Sequence, residues 1–204
     1  QTFLVSHSAY GPNEDWHEAL EWLGENSPEP FGDADFYYAL FEEPSAGEAY
    51  DYPESAYGIM SWWDYGHWIT RIAHRIPVAN PHQNGIGGPY RGNTPGACTF
   101  MTAQDEAAAS AVMDALDSRY VVIDYETAYG KFHTMVTWAG QNVSDYYDLW
   151  YQEDNGELRC YENPPEDRDP VLQIFYPPYY RLMCSRLYNF GTEAAVPLNS
   201  TWAI

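Results

Sequence analysis

Apolar residues recur at helical spacing in five stretches of this chain and cluster at strand spacing in three others. In "NEDWHEALEWLG", residues 13–24, Trp16, Leu20 and Leu23 share one helical face. Asn13 stands where a helix is capped, Glu14 and Asp15 suit its positive end, and Gly24 is expected to stop it. Residues 25–54 are rich in Pro, Gly and acid and predict a loop, with a short strand or helical turn at "FYYALF". "YGIMSW" predicts a strand. Beyond Gly66, the stripe Trp68, Ile69, Ile72 and Ile76 predicts a helix that Pro77 ends, with Arg71, His74 and Arg75 near its negative end. "PHQNGIGGPYRGNTPG" is a punctuated loop, mobile unless something packs onto it.

The run "TAQDEAAASAVMDALDS" predicts a second clear helix, the third along the chain, opened by a capping box of Thr102 and Asp105. "RYVVID" reads as a buried strand ending at Asp124. In "AYGKFHTMVTWAG" the residues Phe132, Met135, Val136 and Ala139 mark a helical face that Gly140 terminates. Alternation on both sides of Asn155-Gly156 is a hairpin signal. "YPPYYRLMCSRLYNFG" predicts a last helix with the face Leu182, Met183, Leu187 and Phe190, stopped by Gly191. The fold class expected is α+β: a helix-rich central core with a short sheet and a small β-hairpin excursion at about residues 143–175. Residues 1–204 are expected to form a single soluble domain.

Composition narrows the function. With 45% apolar and 17% aromatic residues the chain should bury a core. Its 30 acidic residues against 9 basic give a formal charge of −21, which repels phosphates and argues against a nucleic-acid partner. The acid is dispersed along the chain, as suits a surface kept soluble in concentrated salt. Three cysteines without CxxC spacing argue against zinc and allow at most one intrachain disulfide. No run is apolar enough to span a bilayer, and no signal peptide is visible.

The candidate chemistry lies in "SWWDYGHW". Each indole of Trp62 and Trp63 offers one N–H donor, and ionised Asp64 only accepts. A hydroxyl both donates and accepts, so two indoles and a carboxylate at a rigid turn can satisfy it completely. Such a pocket rejects a ligand lacking the hydroxyl, because its own polar groups would be stranded.

The run Trp62-Trp63-Asp64-Tyr65-Gly66 resembles the signature of the catalytic subunit of oligosaccharyltransferases, the enzymes of protein N-glycosylation. Its surroundings resemble the archaeal members, and the acidic surface would suit a salt-loving archaeon. The resemblance implies a pocket for the Ser or Thr hydroxyl of an Asn-X-Ser/Thr acceptor. In "DYETAYGKFHTM" it adds a second motif of Asp124, Lys131 and Met135, where Met135 would touch the methyl that distinguishes Thr from Ser. One methyl in a pocket is worth about 1–3 kcal/mol, so Thr should be preferred without excluding Ser. The resemblance further implies a C-terminal globular domain on the extracellular face of the membrane, with no catalytic residue or metal of its own. The divalent metal (Mn or Mg) and the lipid-linked oligosaccharide would belong to a membrane region absent from this chain.

Plainer readings exist for each residue. Trp62 and Trp63 can be core, Asp64 a helix cap, Lys131 a solvated charge and Met135 packing. His67 and His74 lie seven apart, but no third ligand is apparent and Arg71 stands between them, so a solvated face is expected. "EDNGE" has calcium-like composition without the loop spacing, and a turn explains it. Two sequons, at Asn142 and Asn199, make the chain itself a candidate glycan acceptor. The rival from another class is a secreted carbohydrate-binding module using "YYDLWY" and "YPPYY" as aromatic platforms.

Overall fold

The computed structural model describes residues 11–38, 45, 50–161, 165, 167–191 and 202–203. These fall into two compact units, Gln1–Gly85 with Met113–Val122, and Ile86–Val112 with Ile123–Ile204.

The first unit opens with α1, Glu14–Asn26. Its start is as predicted, with the Asn13 carboxamide oxygen accepting from the Trp16 N–H at 2.9 Å. Its end is not. Gly24 lies inside the helix, and the chain turns out only at Ser27. The glycine serves packing instead, since a Cβ there would stand 3.0 Å from the Ala73 carbonyl oxygen. In "FYYALF", a 3₁₀ turn covers Ala34–Tyr38 and the rest lies outside the described residues.

Strand β1, Gly58–Met60, is flanked by parallel neighbours β2, Ile76–Pro77, and β3, Ser118–Val121, in the order β2-β1-β3. Gly58 pairs with both Ile76 and Ser118, and Ile59 with Pro77 and Tyr120. Every residue of β1 is buried, as expected of the central strand of a parallel sheet. The predicted helix after β1 is shorter and less regular than its apolar stripe suggested. A 3₁₀ turn at Trp63–Tyr65 leads into one α turn, α2, Gly66–Trp68, then a π turn at Ile69–Ala73. His74 adopts a left-handed conformation with φ 51° and ends it, so Ile76 belongs to β2 rather than to the helix.

Arg75 is no dipole-compensating surface charge but is 3% exposed. Its guanidinium donates to Gly24 O at 2.7 Å, Ser27 O at 2.6 Å and Ser27 Oγ at 2.8 Å, and pairs with Glu29 at 3.3 Å. It thereby satisfies carbonyls that the C-terminal end of α1 leaves unpaired.

The second unit contains α3, Ala97–Met101, and α4, Glu106–Ala115, which runs across the division between the units. The helix predicted over residues 102–118 is present as α4, unbroken but shorter, and α3 before it was not expected from the apolar spacing. Asp105 caps α4 through the Ala108 N–H at 2.8 Å, while the Thr102 hydroxyl turns back to Cys98 O at 2.7 Å. Helix α5, Phe132–Trp138, follows a π turn at Glu126–Gly130 and ends before Gly140, φ 70°, as predicted.

A four-stranded antiparallel sheet comprises β4, Tyr147–Gln152, β5, Leu158–Cys160, β6, Leu172–Phe175, and β7, Trp202–Ala203, in the order β5-β4-β6-β7. The Asn155-Gly156 hairpin is present, with Trp150 opposite Cys160 and Gln152 opposite Leu158. Helix α6, Met183–Phe190, is preceded by a 3₁₀ turn at Tyr179–Arg181. Phe132, Phe175 and Tyr179 form the aromatic centre of this unit, with ring centroids 4.0 Å apart for Phe175–Tyr179 and 4.9 Å for Phe132–Tyr179. The buried Tyr179 hydroxyl donates to Ala128 O at 2.9 Å. No helix among the described residues is long and apolar enough to cross a membrane.

Candidate functional site

The five residues Trp62–Gly66 sit where β1 delivers the chain from its C-terminal end. In parallel sheets that edge, beside the strand where the order reverses direction, is where ligands bind. Here β1 connects to β2 on one side and has β3 on the other.

The turn divides its labour. Tyr65 is 4% exposed and packs on Trp16 at a centroid distance of 4.2 Å and on Trp68 at 5.4 Å. Gly66 admits a close approach: a Cβ would lie 2.4 Å from Ala79 O and 2.7 Å from Asn80 Cα, so no larger residue fits. Trp62 is 1% exposed and walls the turn from within, its ring 6.5 Å from that of Trp63. Trp63 and Asp64 are half-buried. Among the described residues neither indole N–H of the pair donates a hydrogen bond to protein. Tyr65 and Gly66 thus anchor a turn in which Trp63 and Asp64 are half-buried.

The second motif is built differently. Asp124 caps the π turn, its Oδ1 accepting from the Thr127 N–H at 2.8 Å and the Thr127 hydroxyl at 2.6 Å. Lys131 is half-buried at the start of α5, its N–H bonded to Glu126 O at 2.6 Å. Met135 is 0% exposed and shares the buried face of α5 with Phe132 and Val136. Trp62 to Gly66 belong to the first unit, and Asp124, Lys131 and Met135 to the second. Each motif is bordered by a π turn, a local irregularity frequent at functional sites. Neither π turn was visible in the apolar spacing, because a single inserted residue barely disturbs a helical stripe.

Other candidates resolve plainly. Cys98, Cys160 and Cys184 are all free thiols. Burial pushes the Cys98 thiol up to about 11 and the Cys184 thiol to about 12, so both are neutral and inert at ordinary pH. No group of three or more His, Cys, Asp or Glu side chains able to hold a metal ion occurs among the described residues. Of the aromatic residues in the two sugar-platform runs, Tyr146, Tyr151, Tyr179 and Tyr180 are each at most 4% exposed and belong to the core, while Tyr147, Trp150 and Tyr176 are half-buried. The punctuated loop after Pro81 is anchored, with Ile86 fully buried and the Gly88 N–H bonded to Thr94 O at 2.9 Å. The sequon at Asn142 opens a 3₁₀ turn at Val143–Asp145; the one at Asn199 lies outside the described residues.

The short parallel sheet, whose central strand feeds an aromatic–acid turn, the antiparallel sheet and the short helices make a fold of α+β class. Residues 13–128 match the family model of the AglB core domain, and the chain belongs to that family of archaeal oligosaccharyltransferases. It is 46% identical over 195 residues to dolichyl-phosphooligosaccharide-protein glycotransferase 3 of Archaeoglobus fulgidus, covering 91% of this chain and 22% of that protein. It is 31% identical to dolichyl-monophosphooligosaccharide–protein glycotransferase AglB of Haloferax volcanii, covering 97% of this chain and 19% of that protein. The chain thus spans about a fifth of the length of these relatives.

Among solved structures, it is similar to an Archaeoglobus fulgidus oligosaccharyltransferase tethered through a disulfide to an acceptor peptide containing the NVT sequon. That match has a TM-score of 0.71 and 38% identity, over 87% of this chain and 22% of that one. An oligosaccharyltransferase AglB of the same organism, in complex with an inhibitory peptide and a dolichol-phosphate, matches with a TM-score of 0.66 and 39% identity over 87% of this chain and 21% of that one. Another structure, with Zn and sulfate, matches with a TM-score of 0.67 and 40% identity over 87% of this chain and 23% of that one.

Proposed function

We propose that this chain is the acceptor-recognition part of an oligosaccharyltransferase, and that Trp62, Trp63 and Asp64 receive the Ser or Thr hydroxyl of an Asn-X-Ser/Thr acceptor. The observation that carries this reading is the division of labour within Trp62–Gly66. Tyr65 and Gly66 are consumed by packing, while Trp63 and Asp64 stay accessible at the C-terminal edge of β1. The Asp64 carboxylate accepts the hydroxyl proton and the Trp63 N–H donates to the hydroxyl oxygen, with Trp62 as the inner wall. An acceptor lacking the hydroxyl makes neither of these pairings and is rejected by a factor of about 10⁴ or more.

Lys131 and Met135 are proposed to tune acceptor preference. The burial of Met135 fits an apolar contact for a Thr methyl and equally a packing role, so the Thr-to-Ser ratio of a conservative Met135→Leu variant separates the two. In the full-length enzyme, the bond between the sugar C1 and the lipid phosphate oxygen breaks. A bond from C1 to the acceptor Asn nitrogen forms as that amide loses a proton. The lipid-linked donor and the divalent metal, Mn or Mg, are assigned to the part of the enzyme outside this chain, and the acceptor is met on the extracellular face.

The test is oligosaccharide transfer in membranes carrying the full-length enzyme, wild type against Asp64→Ala, on an Asn-X-Thr peptide. The reading expects a loss of roughly a hundredfold or more in kcat/KM with the variant still inserted and folded. Transfer within about twofold of wild type would return Trp62, Trp63 and Asp64 to core and cap.

A further inference from the structure

At the opposite end of the same parallel sheet, the first residues of β1, β2 and β3 border a groove of about 860 Å³ that lies wholly within the first unit. Its floor is apolar, including Tyr57, Ile76 and Leu116, and its rim carries Tyr52, Glu54, Asp114, Asp117 and Arg119. We propose that this groove binds a neutral oligosaccharide, with the Tyr52 ring as the stacking face and the rim carboxylates and Arg119 pairing with sugar hydroxyls.

The aromatic face is pre-organised. Tyr52 is 53% exposed, yet its ring is held by Tyr50 at a centroid distance of 4.7 Å and by Phe31 at 6.3 Å. Little side-chain freedom is then left to lose on binding. Arg119 is likewise placed, its guanidinium carbon 4.9 Å from the centre of the Tyr57 ring, while the Tyr57 hydroxyl donates to Pro28 O. Among the described residues, the side chains of Glu54, Asp114 and Asp117 make no hydrogen bond or ion pair, and Arg119 pairs with no carboxylate. The rim therefore offers acceptors and a donor fork not already used within the protein. A pyranose presents that demand: an apolar C–H face to lie on a ring, and hydroxyls at its edge that both donate and accept.

Charge selects among ligand classes. Three carboxylates against one guanidinium on the rim, on a chain of net charge −21, repel an anionic glycan or a phosphate. A cationic peptide finds carboxylates over the whole chain, and they give it no reason to choose this groove. The exposed ring flanked by hydroxyl-pairing groups does. This site uses residues separate from the buried tyrosines that fail as platforms, and it stands beside the acceptor reading rather than in its place.

The experiment is saturation-transfer NMR and calorimetry on the purified chain in high salt. The probes are neutral tetrasaccharides of glucose, mannose and N-acetylglucosamine, with a tetralysine peptide as the contrasting one. Saturable binding of at least one tetrasaccharide at millimolar Kd is expected, weakened about tenfold or more by Tyr52→Ala and by Arg119→Ala, and unchanged by Tyr188→Ala on the second unit. Circular dichroism of each variant shows that the loss is not unfolding. Three outcomes would overturn the proposal: no saturable binding of any sugar, binding that survives Tyr52→Ala, or tetralysine binding that those same variants abolish. Transfer by full-length enzyme carrying Tyr52→Ala is expected to persist on the Asn-X-Thr peptide, so this groove and the hydroxyl pocket fail or stand separately.

Discussion

The segments 62–73 and 124–138 each hold one of the two proposed acceptor motifs beside a π turn, yet they spend their side chains in opposite ways. In the first, two of five motif residues are anchors, and the turn holds Trp63 and Asp64 half-open. In the second, Asp124 and Lys131 are half-open, but Asp124 is engaged as a cap, and Met135 is core. A 3₁₀ turn at the end of a strand can point consecutive side chains in different directions, whereas a helix commits every third or fourth position to one face. A motif on a turn can therefore be spent on recognition, and a motif on a helix is first of all packing.

The sharpest break of this comparison is Gly66→Ala. A Cβ 2.4 Å from a backbone oxygen cannot be relieved by a side-chain rotation, so the variant should lose about 4 kcal/mol or fail to fold, as read from urea unfolding. Next comes Met135→Ala, expected to cost about 2–5 kcal/mol because the side chain is fully enclosed. A destabilisation under about 1 kcal/mol there would move Met135 from packing to contact.

Asp124→Ala removes the cap on the Thr127 N–H and should cost about 1 kcal/mol in the same measurement. The smallest effect is expected for Gly130→Ala. Its Cβ would meet only the mobile end of the Glu126 side chain, Oε2 at 2.2 Å, so stability should stay within about 1 kcal/mol of wild type. If Gly130→Ala proved as damaging as Gly66→Ala, the two segments would be equally constrained and the contrast would fall.

Much of this molecule is decided within a few residues of chain, and that part was legible beforehand. The Asn13 cap of α1, the hairpin at Asn155-Gly156 and the stop at Gly140 depend on neighbours no more than a few positions away. Their chemistry is written in the same short string that forms them. The tertiary structure decided what depends on residues far along the chain. Gly24 reads as a helix stop, but its lack of a side chain answers to the Ala73 carbonyl. Arg75 reads as a charge near the negative end of a helix, but it meets the carbonyls of Gly24 and Ser27 and is buried. In the runs that read as platforms, Tyr146, Tyr151, Tyr179 and Tyr180 are core, and only Tyr147, Trp150 and Tyr176 stay half-exposed. Spacing reports which residues share a face; only the partner brought against that face determines whether the face is packed or left open to bind.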